Sequence, residues 1–452
     1  MKQSAIVVTV ILLFGMALMG TQAGAEESVS SNPYSGELGF RSTLTGDWGG
    51  ARNYLANKGV IFDLSLTQVF QGILGGGKSE DADWGARGTL TINVDTQKLG
   101  LWPGGFLMLE FEGNVSTESP IADSVNGQTG ALMPVNSNQL YPIPNGNNLK
   151  MPAWNIIQFL SPYAGLFLGK LDITLGEMNE FAHGKGDYQF FNLAFNFNPV
   201  AALIAPYSTL GGGVIVLPTK DPAAAIVNFS VLQTNGTADF DSIEDLSGNK
   251  LTFAGEARVR TNLFFGFTGH QLIGGGYSNQ TFTSLSQSLR FIIQNRTLEP
   301  KKGSWNVYYN FDQFLYETKK GSGQGVGLFG RFGVSDGNPN PSHYFFSIGI
   351  GGKGIVPTRP VDSFGIGWYY IVVGHPQFTG PLATRSLLRN EQGFEAYYDL
   401  AITPWMRLTP DIQVISPAQR QVVSIGGPPP PIVNKRDINT ATVAGLRLQV
   451  MF

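Results

Sequence analysis

Apolar and polar residues alternate with a period of two through much of the chain after residue 59. In residues 60–70 the apolar positions share one face of an extended chain, and they are Val60, Phe62, Leu64, Leu66 and Phe70. The same alternation recurs at residues 86–97, 256–267, 289–296, 305–312, 394–399 and 406–413. Because successive side chains of a β-strand point to opposite faces, this pattern predicts many strands with one apolar face each.

Stretches rich in Gly, Pro, Asn and Asp separate these strands, and they lie at 72–78, 126–152, 234–250, 319–325, 335–341 and 426–434. Such residues favour turns and loops. Parallel strands need long crossover connections, usually helices, and the sequence has no long helical pattern between the strands. We therefore expect an antiparallel meander.

One short helix is predicted just before the first strand. Asp47 is a suitable N-cap, and Trp48, Ala51 and Leu55 fall on one apolar face at helical spacing. Gly59 is a plausible residue to end the helix. So short an apolar stripe is expected to dock on a larger body.

The polar faces of the strands carry Asn, Gln, Thr, Ser and Gly more often than Lys or Glu. Charged residues make up 14% of the chain, against about 25% in soluble globular proteins. A soluble β-sandwich or barrel would turn its polar faces to bulk water and would need more charge. Apolar faces in lipid and polar faces around a water-filled lumen are typical of a transmembrane β-barrel.

The length of the chain indicates the size of this barrel. Spanning strands of about 10 residues leave room for about 16 strands and long loops in 452 residues. Barrels of about 16–18 strands enclose an aqueous channel, whereas eight-stranded ones are filled by side chains. The predicted fold is all-β, an up-and-down antiparallel transmembrane barrel of about 16 strands with a short amino-terminal helix.

The amino-terminal residues have the parts of a secretory signal. Lys2 precedes an apolar run over residues 5–19, and small residues at 23–25 suit cleavage after Ala25. We therefore predict a signal peptide at 1–25, a leader with the short helix at 26–58, and the barrel at 59–452. An uncleaved anchor helix is the alternative, but the apolar run is short for spanning a bilayer.

The last strand alternates up to the final residue. Ala444, Leu446, Leu448, Val450 and Phe452 share one face, opposite Arg447 and Gln449. Chain termini usually fray, so an intact terminal strand is unusual in a soluble protein. The ending resembles the signal by which outer-membrane barrels engage the barrel assembly machinery.

The sequence offers little chemistry for catalysis or cofactor binding. A formal charge of −3 gives no basic surface for nucleic acid, and the absence of Cys excludes thiolate chemistry. Histidines at 183, 270, 343 and 375 have no ligand-like spacing. Ser342 and His343 are adjacent and would point to opposite faces of a strand. We expect no enzymatic activity, cofactor, metal site or nucleic-acid partner.

Several stretches resemble one known family. Residues 44–52 read LTGDWGGAR, which is similar to the amino-terminal signature of the OprB-type carbohydrate-selective porins. Further similarity lies in GKLD at 169–172, GLFGRFG at 327–333, DGNP at 336–339, EAYY at 395–398 and TPW at 403–405, continuing to Gln413. The resemblance implies a 16-stranded barrel in the outer membrane of a Gram-negative bacterium, through which carbohydrates and other small solutes diffuse passively.

Charged residues on the polar faces are the candidates for lining the pore. The period-two alternation places eight of them on polar faces: Arg87, Asp95, Glu110, Arg258, Arg260, Arg331, Glu395 and Arg407. The resemblance to the family also implies that Arg331 lies in the lumen. Such groups can hydrogen-bond to sugar hydroxyls, although a shift of one residue in register would turn any of them outward. A structural or adhesive barrel with a closed lumen is the alternative function, and association into a homo-oligomer stays open.

Overall fold

Sixteen antiparallel strands form a closed barrel in the computed structural model, which describes residues 34–117, 120–143, 149–238, 250–286, 298–374, 388–426 and 432–452. The described residues form eighteen strands, and they are β1 (Val60–Gly77), β2 (Ala82–Asp95), β3 (Gly105–Ser116), β4 (Leu149–Ser161), β5 (Ala164–Asp172), β6 (Ser208–Val216), β7 (Ala225–Gln233), β8 (Leu251–Thr261), β9 (Gly269–Thr283), β10 (Pro300–Glu317), β11 (Gly325–Ser335), β12 (Ser342–Lys353), β13 (Ser363–Val373), β14 (Glu391–Thr403), β15 (Met406–Ser416), β16 (Gln421–Gly426), β17 (Ile432–Asp437) and β18 (Asn439–Met451). All but β16 and β17 belong to the barrel. The predicted signal peptide at 1–25 and the predicted strand at 289–296 lie outside the described residues.

Short helical segments accompany the strands, and they are α1 (Ala51–Asn57), a π-helical turn (Ala122–Asn126), α2 (Gly127–Thr129) and α3 (Leu193–Asn196). None of the described helices is long and apolar enough to cross a membrane.

Each barrel strand pairs with its neighbours in sequence, apart from the closing seam. There β18 pairs with both β1 and β15, while β16 and β17 form a separate hairpin. Since the barrel has an even number of strands, the start of β1 and the end of β18 lie at the same end of the barrel, which we call the turn side. Connections 117–148, 173–207 and 417–438 leave from the opposite end, the loop side.

The two faces of the barrel wall carry opposite kinds of side chain, as the alternation predicts. Ile412 and Val414 of β15 are exposed on the outside, whereas the side chains of Asp411 and Gln413 are buried on the inside. A soluble barrel would show the reverse. Adjacent β14 repeats this arrangement, with Phe394 outside. The outer surface therefore suits lipid, and the hydrogen-bonding groups face the lumen.

The described parts of connections 117–148 and 173–207 fold back into the lumen. Phe190 and Phe195 of the second connection are fully buried and stack with ring centroids 4.5 Å apart. They pack against inward-facing rings of the wall, including Phe329 of β11 and Tyr369 of β13. The predicted open lumen is thus partly filled by these two connections.

The inner face of β3–β7 is apolar over part of its surface, contrary to the prediction of a polar lumen. Phe167 of β5, Ile215 of β6 and Ile226 and Leu232 of β7 belong to one buried inward-facing cluster. These strands contain nearly continuous apolar runs, such as AIVNFSVLQ in β7. Their sequence therefore departs from simple alternation because both faces are covered, one by lipid and one by neighbouring side chains.

Two strand boundaries also differ from the predictions. Strand β1 continues through residues 72–77, which were expected to form a turn. Residues 262–268 form the turn between β8 and β9 instead of extending a strand. In that turn Phe265 and Gly266 have φ of 48° and 78°, a left-handed conformation that reverses the chain.

The amino-terminal helix forms, but its cap and buried face differ from those predicted. Gly50, with φ 94°, occupies the N-cap without a side-chain hydrogen bond, and the Asp47 carboxylate instead accepts one from the Ser35 hydroxyl at 2.7 Å. The buried residues are Arg52 and Asn53, not the apolar stripe. Gly59 ends the helix with φ 87°, as predicted.

Arg52 explains why a polar face is buried. Its guanidinium donates to the carbonyl oxygens of Phe452 at 2.7 Å and Phe62 at 2.6 Å, and to the hydroxyl of Thr43 at 2.9 Å. The helix thus docks on the seam between β1 and β18 through hydrogen bonds from Arg52 to backbone oxygens of both strands.

Candidate functional site

A cavity of about 230 Å³ lies between connection 173–207 and the inner wall of the barrel. Residues of β3–β5 and β7–β10 form the wall side, and the inner connection forms the other side. Because the connection packs against β10–β14 through its aromatic side chains, the cavity is displaced toward β3–β9. The cavity has room for a small solute.

Two kinds of surface line this cavity. Phe167, Ile226 and Leu232 contribute an apolar surface from β5 and β7. Glu256 and Arg258 of β8 contribute charged groups of opposite sign, and the Tyr308 hydroxyl donates to Glu256 at 3.1 Å. Arg258 is thus the one pore-lining candidate from the sequence that lies directly on the cavity.

Two other candidates, Arg331 and Glu395, hold connection 173–207 in place. Arg331 is fully buried and pairs with Glu177 at 2.5 Å, while donating to the carbonyl oxygens of Phe195 at 2.8 Å and Ala182 at 2.5 Å. The Glu395 carboxylate accepts hydrogen bonds from the backbone N–H groups of residues 191 and 192. Both side chains face inward, as the alternation within their strands predicts, but they contact connection 173–207 instead of the free space of the lumen.

Arg87 and Glu110 lie in a buried charged network near the same connection. Arg87 donates to both oxygens of Asp187 at 2.6 and 2.7 Å. Lys185 binds Glu112 at 2.9 Å and Asp172 at 2.7 Å. Burial alone would lower the pKa of Lys185, but the carboxylates of Asp172 and Glu112 outweigh it and raise this pKa.

Glu110, Glu112 and Asp172 form the group of carboxylates that comes nearest to a metal site in the described chain. Their oxygen atoms lie within 4.8 Å of one another. The Lys185 ammonium already binds two of the three, and Tyr207 donates to Glu112. Two of the three carboxylates, Glu112 and Asp172, are therefore already bound by protein groups.

The remaining candidates lie near the turn side. Asp95 accepts hydrogen bonds from the backbone of Gln97 at 3.0 Å and Lys98 at 3.1 Å, so it shapes a turn. Arg407 donates to Asp399 at 2.7 Å and to the carbonyl oxygen of residue 361 at 2.8 Å. Arg260 is exposed and lies 3.4 Å from Asp221 in the neighbouring turn.

Sequence reasoning missed the partners supplied by connection 173–207. Glu177, His183 and Lys185 lie in a segment without periodicity, so parity could not place them. Burial and the charge of Arg331 lower the pKa of His183 to about 4, which keeps the imidazole neutral near pH 7. Glu256 and Tyr308 lie on strands, and the alternation of β8 and β10 would have placed both inside.

Arg447 of β18 was assigned to the polar face of the last strand but not to the site. It donates to the carbonyl oxygens of Gly186 at 2.6 Å and Gln189 at 3.0 Å. Its guanidinium also lies 4.6 Å from the ring centroid of Phe191. It therefore joins Arg331 and Glu395 in fixing the inner connection to the wall.

Comparisons with known proteins agree with this architecture. The family model described as carbohydrate-selective porin, OprB family, matches residues 80–452. Porin B of Pseudomonas aeruginosa is 23% identical over 482 aligned residues, which cover 98% of this chain and 97% of that protein. Similarity therefore extends over nearly the whole length of both chains.

Two solved structures share the fold. The high-pH structure of Pseudomonas putida OprB has a TM-score of 0.73 and 21% identity, and the match covers 92% of this chain and 100% of that one. The low-pH structure of the same protein has a TM-score of 0.53 and 16% identity, with coverage of 92% and 99%. With the family match, the closed 16-stranded barrel and its inner cavity, the chain belongs to the OprB family of carbohydrate-selective porins and is an outer-membrane sugar porin.

Proposed function

We propose that sugars and other small solutes cross this porin through the cavity between connection 173–207 and the wall strands β3–β10. One observation carries the proposal: the aromatic side chains of the inner connection pack against β10–β14, and the cavity lies between the connection and the inner faces of β3–β5 and β7–β10. Passage is passive, and selectivity depends on the width of this gap and on weak interactions with its lining groups.

The pore-lining candidates then have different roles. Arg258, together with Glu256, offers hydrogen bonds to solute hydroxyls within the cavity, and Arg260 meets solutes at the turn-side mouth. Arg87, Arg331 and Glu395 set the width of the passage by holding the inner loops, and Glu110 belongs to the same buried charged network as Arg87. Asp95 and Arg407 support the turn-side rim through the contacts described above.

We also propose how the protein is exported and inserted into the outer membrane. Residues 1–25 are removed as a signal peptide, β18 with Phe452 engages the barrel assembly machinery, and the apolar outer surface contacts outer-membrane lipid. The protein acts as a channel without catalysing a reaction. Association into a homo-oligomer is tested by the mass of the detergent-solubilised protein.

The experiment is reconstitution of the mature protein in planar bilayers and in liposomes. The wild-type protein is expected to conduct ions and to admit monosaccharides in a swelling assay. Arg258→Gln removes a positive charge from the cavity, so selectivity should shift toward cations. Lys301→Gln, on the exposed loop-side end of β10, is the matched control and should leave selectivity unchanged.

Two results would contradict the proposal. A barrel that neither conducts nor admits sugars would be the closed structural or adhesive barrel instead. Equal shifts in selectivity for Arg258→Gln and Lys301→Gln would place the narrow part of the passage elsewhere in the lumen.

A further inference from the structure

The cavity has an apolar wall that transport of a simple sugar does not require. Phe167, Leu171, Ile226 and Leu232 face inward, line the cavity, and are each at most 8% exposed. Ile204 of the inner connection continues this surface across the gap. Aliphatic side chains cannot hydrogen-bond to hydroxyls. Displacement of water from such a surface by an apolar group of the solute lowers the free energy.

Beside this apolar surface lies a polar one on β8 and β10. The other carboxylates of the lining, Asp172 and Glu177, are paired with Lys185 and Arg331, so the polar surface is close to neutral. Glu256 and Arg258 have opposite charges, and the hydroxyl of Tyr308 binds Glu256. The Nε of Arg258 and the Oδ1 of Asn306 have no hydrogen-bond partner among the described residues. These groups are a donor and an acceptor beside a cavity with little net charge, which favours an uncharged ligand with hydroxyl groups.

From these two adjoining surfaces we infer that the cavity binds an amphipathic glycoside, meaning an uncharged sugar that carries a small aryl or short alkyl substituent. The substituent packs against Phe167, Ile226 and Leu232, and the sugar hydroxyls face Arg258 and Asn306. The volume of about 230 Å³ is below the roughly 300–1,000 Å³ of pockets for drug-sized ligands. The substituent is therefore small. This inference rests on the proposed passage and names its preferred solute class.

The test compares phenyl glucoside, methyl glucoside, glucose and a disaccharide as blockers of ion current through single channels. Removal of a phenyl group from water should give phenyl glucoside a half-blocking concentration about tenfold below that of methyl glucoside. The disaccharide controls for size, because it is bulky but polar. It should block no better than methyl glucoside.

Two variants locate the effect. Ile226→Thr places a hydroxyl on the apolar wall of the cavity and should remove most of the advantage of phenyl glucoside over methyl glucoside. Ile215→Thr makes the same change in the same buried cluster, but residue 215 does not line the cavity. It should retain the advantage. The heat-induced mobility shift on gels reports folding of both variants.

Failure of this inference is distinct from failure of the proposed passage. If glucose enters and ions flow but phenyl and methyl glucosides block alike, or if Ile215→Thr and Ile226→Thr behave alike, the amphipathic preference is wrong. If no sugar enters and no current flows, the proposed passage itself is wrong.

Discussion

At the scale of single residues, Arg52 joins the amino-terminal helix to both strands of the closing seam. It is 2% exposed and donates to the carbonyl oxygens of Phe62 and Phe452 and to the hydroxyl of Thr43. Hydrogen bonds made by a charged group contribute about 1.5–3 kcal/mol each, so Arg52→Ala should lower the free energy of unfolding by about 3 kcal/mol or more. The measurement is denaturant unfolding in lipid vesicles.

A change just after the same helix controls for the loss of an exposed basic side chain. Lys58 follows the helix and is exposed, so Lys58→Ala should alter stability by less than about 0.5 kcal/mol. Arg52→Lys keeps the charge but loses the planar fork, and its stability should lie between those of wild type and Arg52→Ala. If Arg52→Lys is as stable as the wild type, the planar fork of Arg52 is not required.

His183 gives the porin a predictable dependence on pH. Its folded pKa of about 4 lies below the ordinary value of about 6.5, so between these values the unfolded chain binds more protons than the folded one. Stability should therefore fall as the pH drops from 6.5 to 4, by up to about 1.4 kcal/mol per pH unit from this group. His183→Gln should lack this share of the slope, and an unchanged slope would show that the imidazole is not buried neutral.

At the scale of elements, connection 173–207 is held by charges on strands far away in the sequence. Arg331→Met leaves Glu177 buried without its partner and frees the carbonyl oxygens of Ala182 and Phe195. Removing one member of a buried pair costs about 3–5 kcal/mol. We expect the connection to loosen, single-channel conductance to rise, and discrimination among sugars to fall.

The double variant Glu177→Gln with Arg331→Met is the control for general destabilisation. It removes the unpaired charge, so stability should recover in part. The carbonyl oxygens stay without their donor, so conductance should remain high. If stability and conductance return together to wild-type values, the hydrogen bonds of Arg331 to the connection do not set the width.

The strands could be predicted from the sequence where one face meets lipid and the other meets polar groups, as in β14 and β15. Strands β5–β7 lack that contrast, because their inner faces pack in an apolar cluster. The alternation within β11 and β14 also places the side chains of Arg331 and Glu395 inside the barrel, where the structure has them. It could not show that loop backbone would cover them, because connection 173–207 has no periodic pattern and its fold depends on contacts with distant strands.

At the scale of the whole molecule, the barrel carries large apolar side chains on its outer surface and buries many polar side chains inside. Phe229 of β7 is 58% exposed on the outer face, and its neighbour Ser230 lines the cavity. The two residues lie at the same height of the wall but on opposite faces. They therefore allow the two environments to be compared with a single kind of substitution.

Phe229→Arg should destabilise the barrel by about 2–4 kcal/mol if it lies near the bilayer midplane, since a charge there must be desolvated by lipid. Ser230→Arg should leave stability nearly unchanged, because its side chain faces the aqueous cavity, but should lower conductance and shift selectivity toward anions. Unfolding in vesicles and bilayer recordings measure the two effects. If Phe229→Arg is neutral while Ser230→Arg unfolds the barrel, the assignment of lipid to the outside and solute to the inside is wrong for this wall.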